Sequence, residues 1–216
     1  MSVSKAYGRL DRVTILDAAL RVAARPGVAD IRLSDVGDEV GADPTAVYRH
    51  FRGKQDLIAA AIERLMGEIA ARIPAGVSWR ALLDGVAADL FDTFSRLPAI
   101  GMHLADVRVV GSDELGLVER ILQALQDAGL RDDALVKRYA ALSGFSTAYL
   151  AGACRDLTTV DAAADELPWL PEAVDATDTR PLLATYAERI AALDFRAVYD
   201  AAIALILDSI EPEAAG

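Results

Sequence analysis

The sequence predicts an all-α protein, and three observations support that prediction. Apolar residues make up 53 % of the 216 residues and charged residues 25 %, which is typical of a chain that buries a packed core. Alanine and leucine, which favour helices, are abundant, and apolar residues recur at helical spacing. The strict alternation of apolar and polar residues that indicates strands is rare.

The first third of the chain predicts four helices, bounded by residues that break or cap helices. Gly41 ends the second of them, and Asp43 followed by Pro44 is a typical N-cap and first position for the third. Gly53 separates the third from a long fourth helix. The predicted spans are 12–24, 34–40, 44–50 and 55–73. The buried stripe expected on the fourth helix consists of Ile58, Ile62, Leu65 and Ile69.

Six further helices are predicted beyond Pro74 and Gly76, which interrupt the chain after the fourth. Their spans are 79–95, 98–109, 113–127, 132–156, 182–192 and 195–210. A polar stretch with Pro168 and Pro171 predicts a long surface loop between helices 132–156 and 182–192. We assign 1–54, an N-terminal arm plus three helices, to one domain. We assign 55–216 to a second helical domain, with helix 55–73 as the connector.

Charge is unevenly distributed along the chain. The net charge is −11, yet residues 1–73 carry 11 Lys and Arg against 10 Asp and Glu, so the excess acid lies in the remainder. A near-neutral first third is compatible with nucleic-acid binding if its cations share one face. The single cysteine, Cys154, excludes an intrachain disulfide. With no secretion signal at the N-terminus and no apolar run of about 20 residues, we expect a cytoplasmic protein without membrane contact.

The segment 33–58 carries the functional prediction. Two short helices joined by a glycine turn bury little surface alone, and between longer helices they form a helix-turn-helix, whose second helix enters the major groove of DNA. On that second helix Val47 and Phe51 are four residues apart, so they face inward towards Val36 and Val40. The opposite, outward face carries Thr45, Tyr48, Arg49 and Arg52.

This segment resembles the TetR (tetracycline-repressor-like) family. The signature stands here as Val47-Tyr48-Arg49-His50-Phe51-Arg52-Gly53-Lys54, followed by Gln55-Asp56-Leu57, and the upstream Ile15-Leu16-Asp17-Ala18-Ala19 also matches. The resemblance is strong over about residues 12–66 and weaker at 125–130 and 139–152. It implies a dimeric regulator, usually a repressor, that binds palindromic double-stranded operator DNA and is released by a small-molecule effector, with no cofactor, metal or catalytic residue.

The resemblance also assigns roles to individual residues. Base edges would be contacted by Pro44, Thr45, Ala46 and Arg49, and Arg49 would bind a guanine through its paired donors. Phosphates would be contacted by Tyr48, His50 and Lys54. The sequence departs from the family pattern before the first short helix, where Arg32 occupies the position of the threonine that is frequent in the family. Arg32 and Ser34 are therefore additional phosphate candidates.

The second domain offers more diffuse signals. The candidate ligand-binding residues are Phe91, Phe94, Met102, His103, Phe145, Tyr149 and Trp169, although large apolar residues at helical spacing are usually core. His103 is the expected polar anchor. The family implies dimerisation through helices 132–156 and 195–210. We expect the dimer stripes to be Tyr139, Leu142, Ser143, Ser146, Leu150 and Ala153 on the former helix, and Phe195, Val198, Ala202, Leu205 and Ile206 on the latter. Packing within one protomer is the alternative.

Two other function classes remain open from the sequence. An interaction protein of the same fold that has lost DNA binding would bind promoter and random DNA equally and feebly. An enzyme would need a nucleophile–base pair, a metal cluster or a phosphate loop, and with two histidines and one cysteine the sequence supplies none.

Overall fold

The computed structural model describes residues 10–108, 111–159 and 180–210, and within these ranges the chain forms ten helices and no strand. The all-α prediction is confirmed. Residues 1–9 of the predicted N-terminal arm, and the predicted loop with Trp169, lie outside the described residues. In chain order the helices are α1 (Arg12–Ala23), α2 (Leu33–Val40), α3 (Pro44–Tyr48), α4 (Lys54–Arg72), α5 (Trp79–Ser95), α6 (Pro98–Gly101), α7 (Ser112–Asp127), α8 (Asp132–Thr159), α9 (Pro181–Ala191) and α10 (Phe195–Asp208).

Helices α2 and α3 form the helix-turn-helix that the sequence predicts, and α1 packs against α2. The Asp43 carboxylate caps α3 by accepting the backbone N–H of Thr45 at 2.8 Å, and Pro44 occupies the first helical position. Val47 and Phe51 are no more than 1 % exposed, which confirms that they face inward. The short α3 is therefore held by two buried side chains and by its neighbours.

The turn between α2 and α3 depends on two glycines. Gly41 ends α2 in the left-handed region with φ +68°, which glycine adopts without steric penalty. A Cβ atom on Gly37 would lie 2.9 Å from the carbonyl oxygen of Ala42, so α2 can approach the turn this closely only without a side chain. These two positions set the angle at which α3 leaves α2.

Helix α4 joins the two parts of the fold. It packs against α1 on the N-terminal side and against α5 and α7 on the C-terminal side. Its buried residues, which include the predicted stripe, are Leu57, Ile58, Ala61, Ile62, Leu65, Met66 and Ile69. Beyond it, α5, α7, α8 and α10 pack against one another, and α6 lies against α8 and also contacts α1. None of the described helices combines the length and apolarity needed to cross a membrane.

The predicted helix 98–109 is wrong beyond its first turn, because α6 ends at Gly101. After that residue the backbone N–H groups bond three residues back, as from His103 to Ile100 at 3.0 Å and from Leu104 to Gly101 at 3.0 Å. These tight turns place Leu104 in the core and direct His103 towards the helix-turn-helix. Tertiary contacts therefore override the helical propensity of this segment.

Replacing Gly37 by alanine is expected to lower the free energy of unfolding by about 1–3 kcal/mol, because the new Cβ meets backbone that cannot move aside. The matched control is Gly85→Ala on α5, where a Cβ meets no atom within 4 Å. That change is expected to be neutral or to stabilise by about 0.5–1 kcal/mol. Urea unfolding of both variants measures the difference, and equal effects would contradict the close approach at Gly37.

Candidate nucleic-acid interface and internal cavity

The face of α3 opposite its buried residues is accessible to solvent. Tyr48 is 56 % exposed, and Thr45, Arg49 and Arg52 are also exposed, as predicted. Within the described part of the chain, the guanidinium groups of Arg49 and Arg52 form no ion pair. Tyr48, the last residue of this helix of five residues, and Arg49 and Arg52, which follow it, therefore expose a phenol and two long cations close together in the chain.

Thr45 is both part of this face and part of the cap that starts α3. Its hydroxyl donates to the Asp43 carboxylate at 2.5 Å, which leaves the hydroxyl oxygen able to accept a hydrogen bond. The hydrogen bonds from the side chain and the backbone of Thr45 hold the pKa of Asp43 below its usual value. The cap thus remains ionised and fixes the Thr45 side chain at the start of the helix.

A concave surface beside α3 gathers most of the predicted phosphate contacts. It is lined by Asp30, Ile31, Arg32, Leu33, Ser34, Pro44, Tyr48 and Lys54. No side chain caps the start of α2, so its first backbone N–H groups point outward, where an anion is favoured. Ala46 and His50 are half-buried beside this surface. The structure therefore assembles five of the predicted DNA-binding residues around one depression.

Lys54 does not stand alone on this surface. Its ammonium group forms an ion pair with the carboxylate of Asp30 in the α1–α2 connection. Nε2 of His103 lies 3.8 Å from the same carboxylate. Burial raises the pKa of Asp30, but the hydrogen bond and charge of Lys54 outweigh it, and the pKa lies below its usual value. The phosphate role predicted for Lys54 would require the phosphate to share the ammonium group with Asp30 or to displace Asp30.

Arg12 fixes the C-terminal end of α3, a role that the sequence prediction missed. Its guanidinium donates to the carbonyl oxygen of His50 at 2.8 Å and lies 4.1 Å from the centre of the Phe51 ring. Its Nη2 is 3.5 Å from Asp56, whose carboxylate also accepts the backbone N–H of Arg52 at 3.0 Å. Arg12 and Asp56 lie in the first turns of α1 and α4, and spacing alone does not reveal contacts over 38 residues.

A cavity lies between α5, α7 and α8, with Met66 of α4 and Leu104 closing it. Its internal volume is about 80 Å³, and the space reaches about 660 Å³ only when the solvent at its open mouth is included. The apolar lining residues are Met66, Leu83, Val86, Ala87, Leu90, Leu104, Leu117, Val118, Ile121, Leu142 and Leu150, and the polar ones are Glu114, Tyr139, Ser143, Ser146 and Thr147. A largely apolar cavity with a few polar groups is typical of a small-molecule site.

The predicted ligand-binding residues do not line this cavity. Phe91 and Phe94 are buried in the core, and Phe145 and Tyr149 belong to a cluster of rings with Tyr199. Met102 is half-buried, and His103 is directed at Asp30. Trp169 lies outside the described residues. Their part in ligand binding stays a prediction.

One of the two predicted dimer stripes is wrong. On α8 the stripe from Tyr139 to Ala153 faces inward, where Leu142, Ser146 and Leu150 are buried and line the cavity. The alternative, packing within one protomer, is correct for this stripe. The exposed side of α8 instead carries Val136, Ala140, Gly144 and Ala148. On α10 the prediction fits better, because Leu205 is 72 % exposed and Phe195, Val198, Ala202 and Ile206 are half-buried.

Glu63 links the connector helix α4 to α7, which forms part of the cavity wall. Its carboxylate accepts the backbone N–H of Asp113 at 2.8 Å and of Glu114 at 3.3 Å, and so caps the start of α7. A side chain on Gly111 would overlap this carboxylate. The first turn of α7 and the middle of α4 are therefore joined by hydrogen bonds at the edge of the cavity.

Comparison with known proteins places both halves of the chain in one family. Residues 15–61 match the family described as "Bacterial regulatory proteins, tetR family", and residues 74–213 match "Tetracyclin repressor-like, C-terminal domain". Among curated proteins, the HTH-type transcriptional repressor DrrR1 of Streptomyces coeruleorubidus is 26 % identical over 200 residues. That match covers 86 % of this chain and 71 % of DrrR1.

Solved structures share the fold over nearly the whole chain. A protein from Streptomyces coelicolor A3(2) is 25 % identical, with a TM-score of 0.78 over 96 % of this chain and 100 % of that chain. ActR of Streptomyces coelicolor, in complex with actinorhodin, is 20 % identical, with a TM-score of 0.75 over 97 % of this chain and 100 % of ActR. At that identity the ActR match shows the fold alone.

The burial of His103 near Lys54 predicts a pH dependence of stability, which the carboxylate of Asp30 opposes in part. Burial, followed by the charge of Lys54, holds the pKa of His103 below its usual value of 6.5, so the fold favours the neutral imidazole. That contribution is present above the usual pKa and is lost as the pH falls through it towards the folded pKa. Asp30 stays ionised throughout this range, because its pKa is lowered from 3.8.

Replacing His103 by glutamine, which keeps a polar group but cannot be protonated, is expected to reduce the loss of stability on acidification. Urea unfolding of both chains at about pH 7 and about pH 5 gives the comparison. The wild-type free energy of unfolding should fall more than that of the variant. Equal falls would contradict the burial of a neutral His103 against Asp30.

Proposed function

Because the chain belongs to the tetR family of bacterial regulatory proteins, we propose that it is a sequence-specific DNA-binding transcriptional regulator, a repressor that a small-molecule effector releases from operator DNA. The observation that carries the proposal is the outward face of α3, where Tyr48, Arg49 and Arg52 project while Val47 and Phe51 anchor the helix from beneath. The name of DrrR1, a transcriptional repressor, supports it, and a DNA regulator would work in the cytoplasm.

At the DNA, α3 would enter the major groove with its N-terminal turn first. Base edges would be contacted by Pro44, Thr45, Ala46 and Arg49, and phosphates by Arg32, Ser34, Tyr48, His50 and Lys54. Contacts to phosphate set the register of the protein on the duplex, and contacts to base edges set the sequence preference. The guanidinium of Arg49 is exposed and forms no ion pair with any residue that the structure describes, which supports its role as the principal base contact.

A dimer would present two copies of α3 to a palindromic site, about 34–36 Å apart. We propose that the exposed sides of α8 and α10 form its interface, because Val136 and Leu205 expose large apolar side chains there. The small residues Ala140, Gly144 and Ala148 would allow the α8 helices of two protomers to approach closely.

The effector would occupy the cavity between α5, α7 and α8 and act through α4. In this proposal 1–54 is the DNA-binding domain, 55–216 the ligand-binding and dimerisation domain, and α4 the connector. A ligand that binds better when the first turn of α7 is shifted would displace Glu63, and α4 with it, because backbone N–H groups hold that carboxylate. The two recognition helices would then have the wrong separation for both half-sites. The complex of ActR with actinorhodin supports a ligand-binding role for this fold.

The proposal assigns no catalytic step to the chain. His103, the residue whose loss would test an enzymatic alternative, is directed at Asp30, and the described residues that line the cavity include neither histidine nor cysteine. Footprinting of the purified chain on the DNA upstream of its own gene tests the regulator directly. Specific protection at moderate salt is expected. Equal and feeble binding to promoter and random DNA would instead favour an interaction protein of the same fold.

Replacing Arg49 by alanine is expected to weaken binding to the protected site by about 1–3 kcal/mol and to leave binding to random DNA nearly unchanged. Lys54→Ala should weaken binding to both DNAs alike, because it removes a phosphate contact. Arg21→Ala is the control, since that guanidinium is committed to Glu39 on α2. Fluorescence anisotropy at several salt concentrations gives the affinities. The reverse pattern for Arg49 and Lys54 would show that their roles are exchanged.

Replacing Leu205 by glutamate is expected to convert the dimer into monomers, because it places a charge in the apolar face that the partner would cover. Affinity for a two-half-site operator should then fall by about tenfold or more, as each half-site binds independently. Leu115→Glu on α7 is the matched control, a leucine that is 56 % exposed elsewhere on the surface. Sedimentation velocity measures the oligomeric state. Unchanged sedimentation of the Leu205 variant would refute the proposed interface.

A further inference from the structure

Among the described residues that line the internal cavity, Glu114 carries the only charged side chain. It lies in the first turn of α7, where the helix dipole favours a negative charge. The surrounding lining is formed mainly by aliphatic side chains of α5, α7 and α8. A carboxylate at this place faces the space that the proposed effector would fill.

The other polar groups of the cavity are largely committed to the protein. Ser146 accepts the hydroxyl hydrogen of Tyr199 at 3.2 Å, and the Thr147 hydroxyl donates to the carbonyl oxygen of Ser143 at 2.8 Å. Glu114 differs, because its carboxylate takes part in no hydrogen bond or ion pair within the described ranges of the chain. The hydroxyl groups of Tyr139 and Ser143 also form no hydrogen bond there, so Glu114 is the only charged acceptor without a partner among the described lining residues.

A second carboxylate intensifies the negative potential at this end of the cavity. Glu63 is fixed there by the backbone N–H groups of Asp113 and Glu114. Burial, and then the charge of Glu63, raise the pKa of Glu114, so the protein alone disfavours the charge of Glu114. A ligand that brings a positive charge would relieve both effects, whereas an anion would meet two like charges.

We propose that the effector is a lipophilic amine, whose protonated nitrogen pairs with the carboxylate of Glu114 while its apolar body fills the space between α5, α7 and α8. This inference rests on the proposed function, since it names the class of effector for the same cavity. The amine donates a charge-assisted hydrogen bond to Glu114, and the aliphatic lining covers the rest of the molecule. Apolar anions are excluded from the same site by Glu114 and Glu63.

Three probes that share one ring system distinguish the effect of ligand charge on binding from the effect of ligand shape. 9-Aminoacridine is protonated at slightly alkaline pH, acridine is uncharged there, and acridine-9-carboxylate is an anion. Fluorescence titration of the full-length chain without DNA gives a dissociation constant for each probe. The wild-type protein is expected to bind 9-aminoacridine at least about tenfold more tightly than acridine, and the carboxylate least tightly.

Glu114→Gln, which preserves shape and removes the charge, should bring the dissociation constants of 9-aminoacridine and acridine to within about threefold of each other. Glu119→Gln is the matched control, an exposed glutamate on the same helix that does not line the cavity, and it should keep the wild-type ratio. Circular dichroism and thermal unfolding verify that both variants fold.

The inference is overturned if wild-type protein binds acridine or its carboxylate as tightly as 9-aminoacridine, if it binds no cation, or if Glu114→Gln keeps the preference for the cation. None of these measurements involves DNA. A failed ligand preference with specific footprinting therefore rejects only the amine, and a failed footprint with a clear preference rejects only the regulator.

Discussion

The rest of the structure depends on the burial of one helix along nearly its whole length. From Leu57 to Ile69, α4 places an apolar residue towards the core at every turn, first against α1 and then against α5 and α7. Burying each large aliphatic side chain contributes about 1.5–3 kcal/mol, so separating α4 from either side would be costly. The helix-turn-helix region, through α1, and the cavity, through Met66, are consequently in contact with the same helix.

Electrostatic pairing determines which cations remain for a nucleic acid. Several cations of the first 73 residues are paired with carboxylates of the protein itself. Arg21 and Arg25 pair with Glu39, and Arg64 pairs with Asp17. These exposed pairs contribute little to stability. They neutralise cations that do not belong to the outward face of α3. That face retains Arg49 and Arg52, so an acidic protein presents a local basic surface.

The cavity and the DNA-facing surface are linked by polar contacts at two places. Glu63 joins α4 to the start of α7 beside Glu114. On the other side, the turn after α6 brings His103 to Asp30, which pairs with Lys54 at the start of α4. Both contacts require their partners at short range, so they depend on the relative positions of α4, α7, the turn after α6 and the α1–α2 connection.

The sequence by itself determined the helical class, the boundaries of most helices and the outward face of α3, because capping residues, glycines and 3.6-residue periodicity act locally. Only the tertiary structure decided which face of α8 is buried, that α6 stops at Gly101 and that Lys54 pairs with Asp30. Periodicity identifies an apolar stripe without naming what covers it, and a cavity is formed by side chains from several helices. The role proposed for Glu114 depends on neighbours that are distant in sequence, and no local pattern specifies those neighbours.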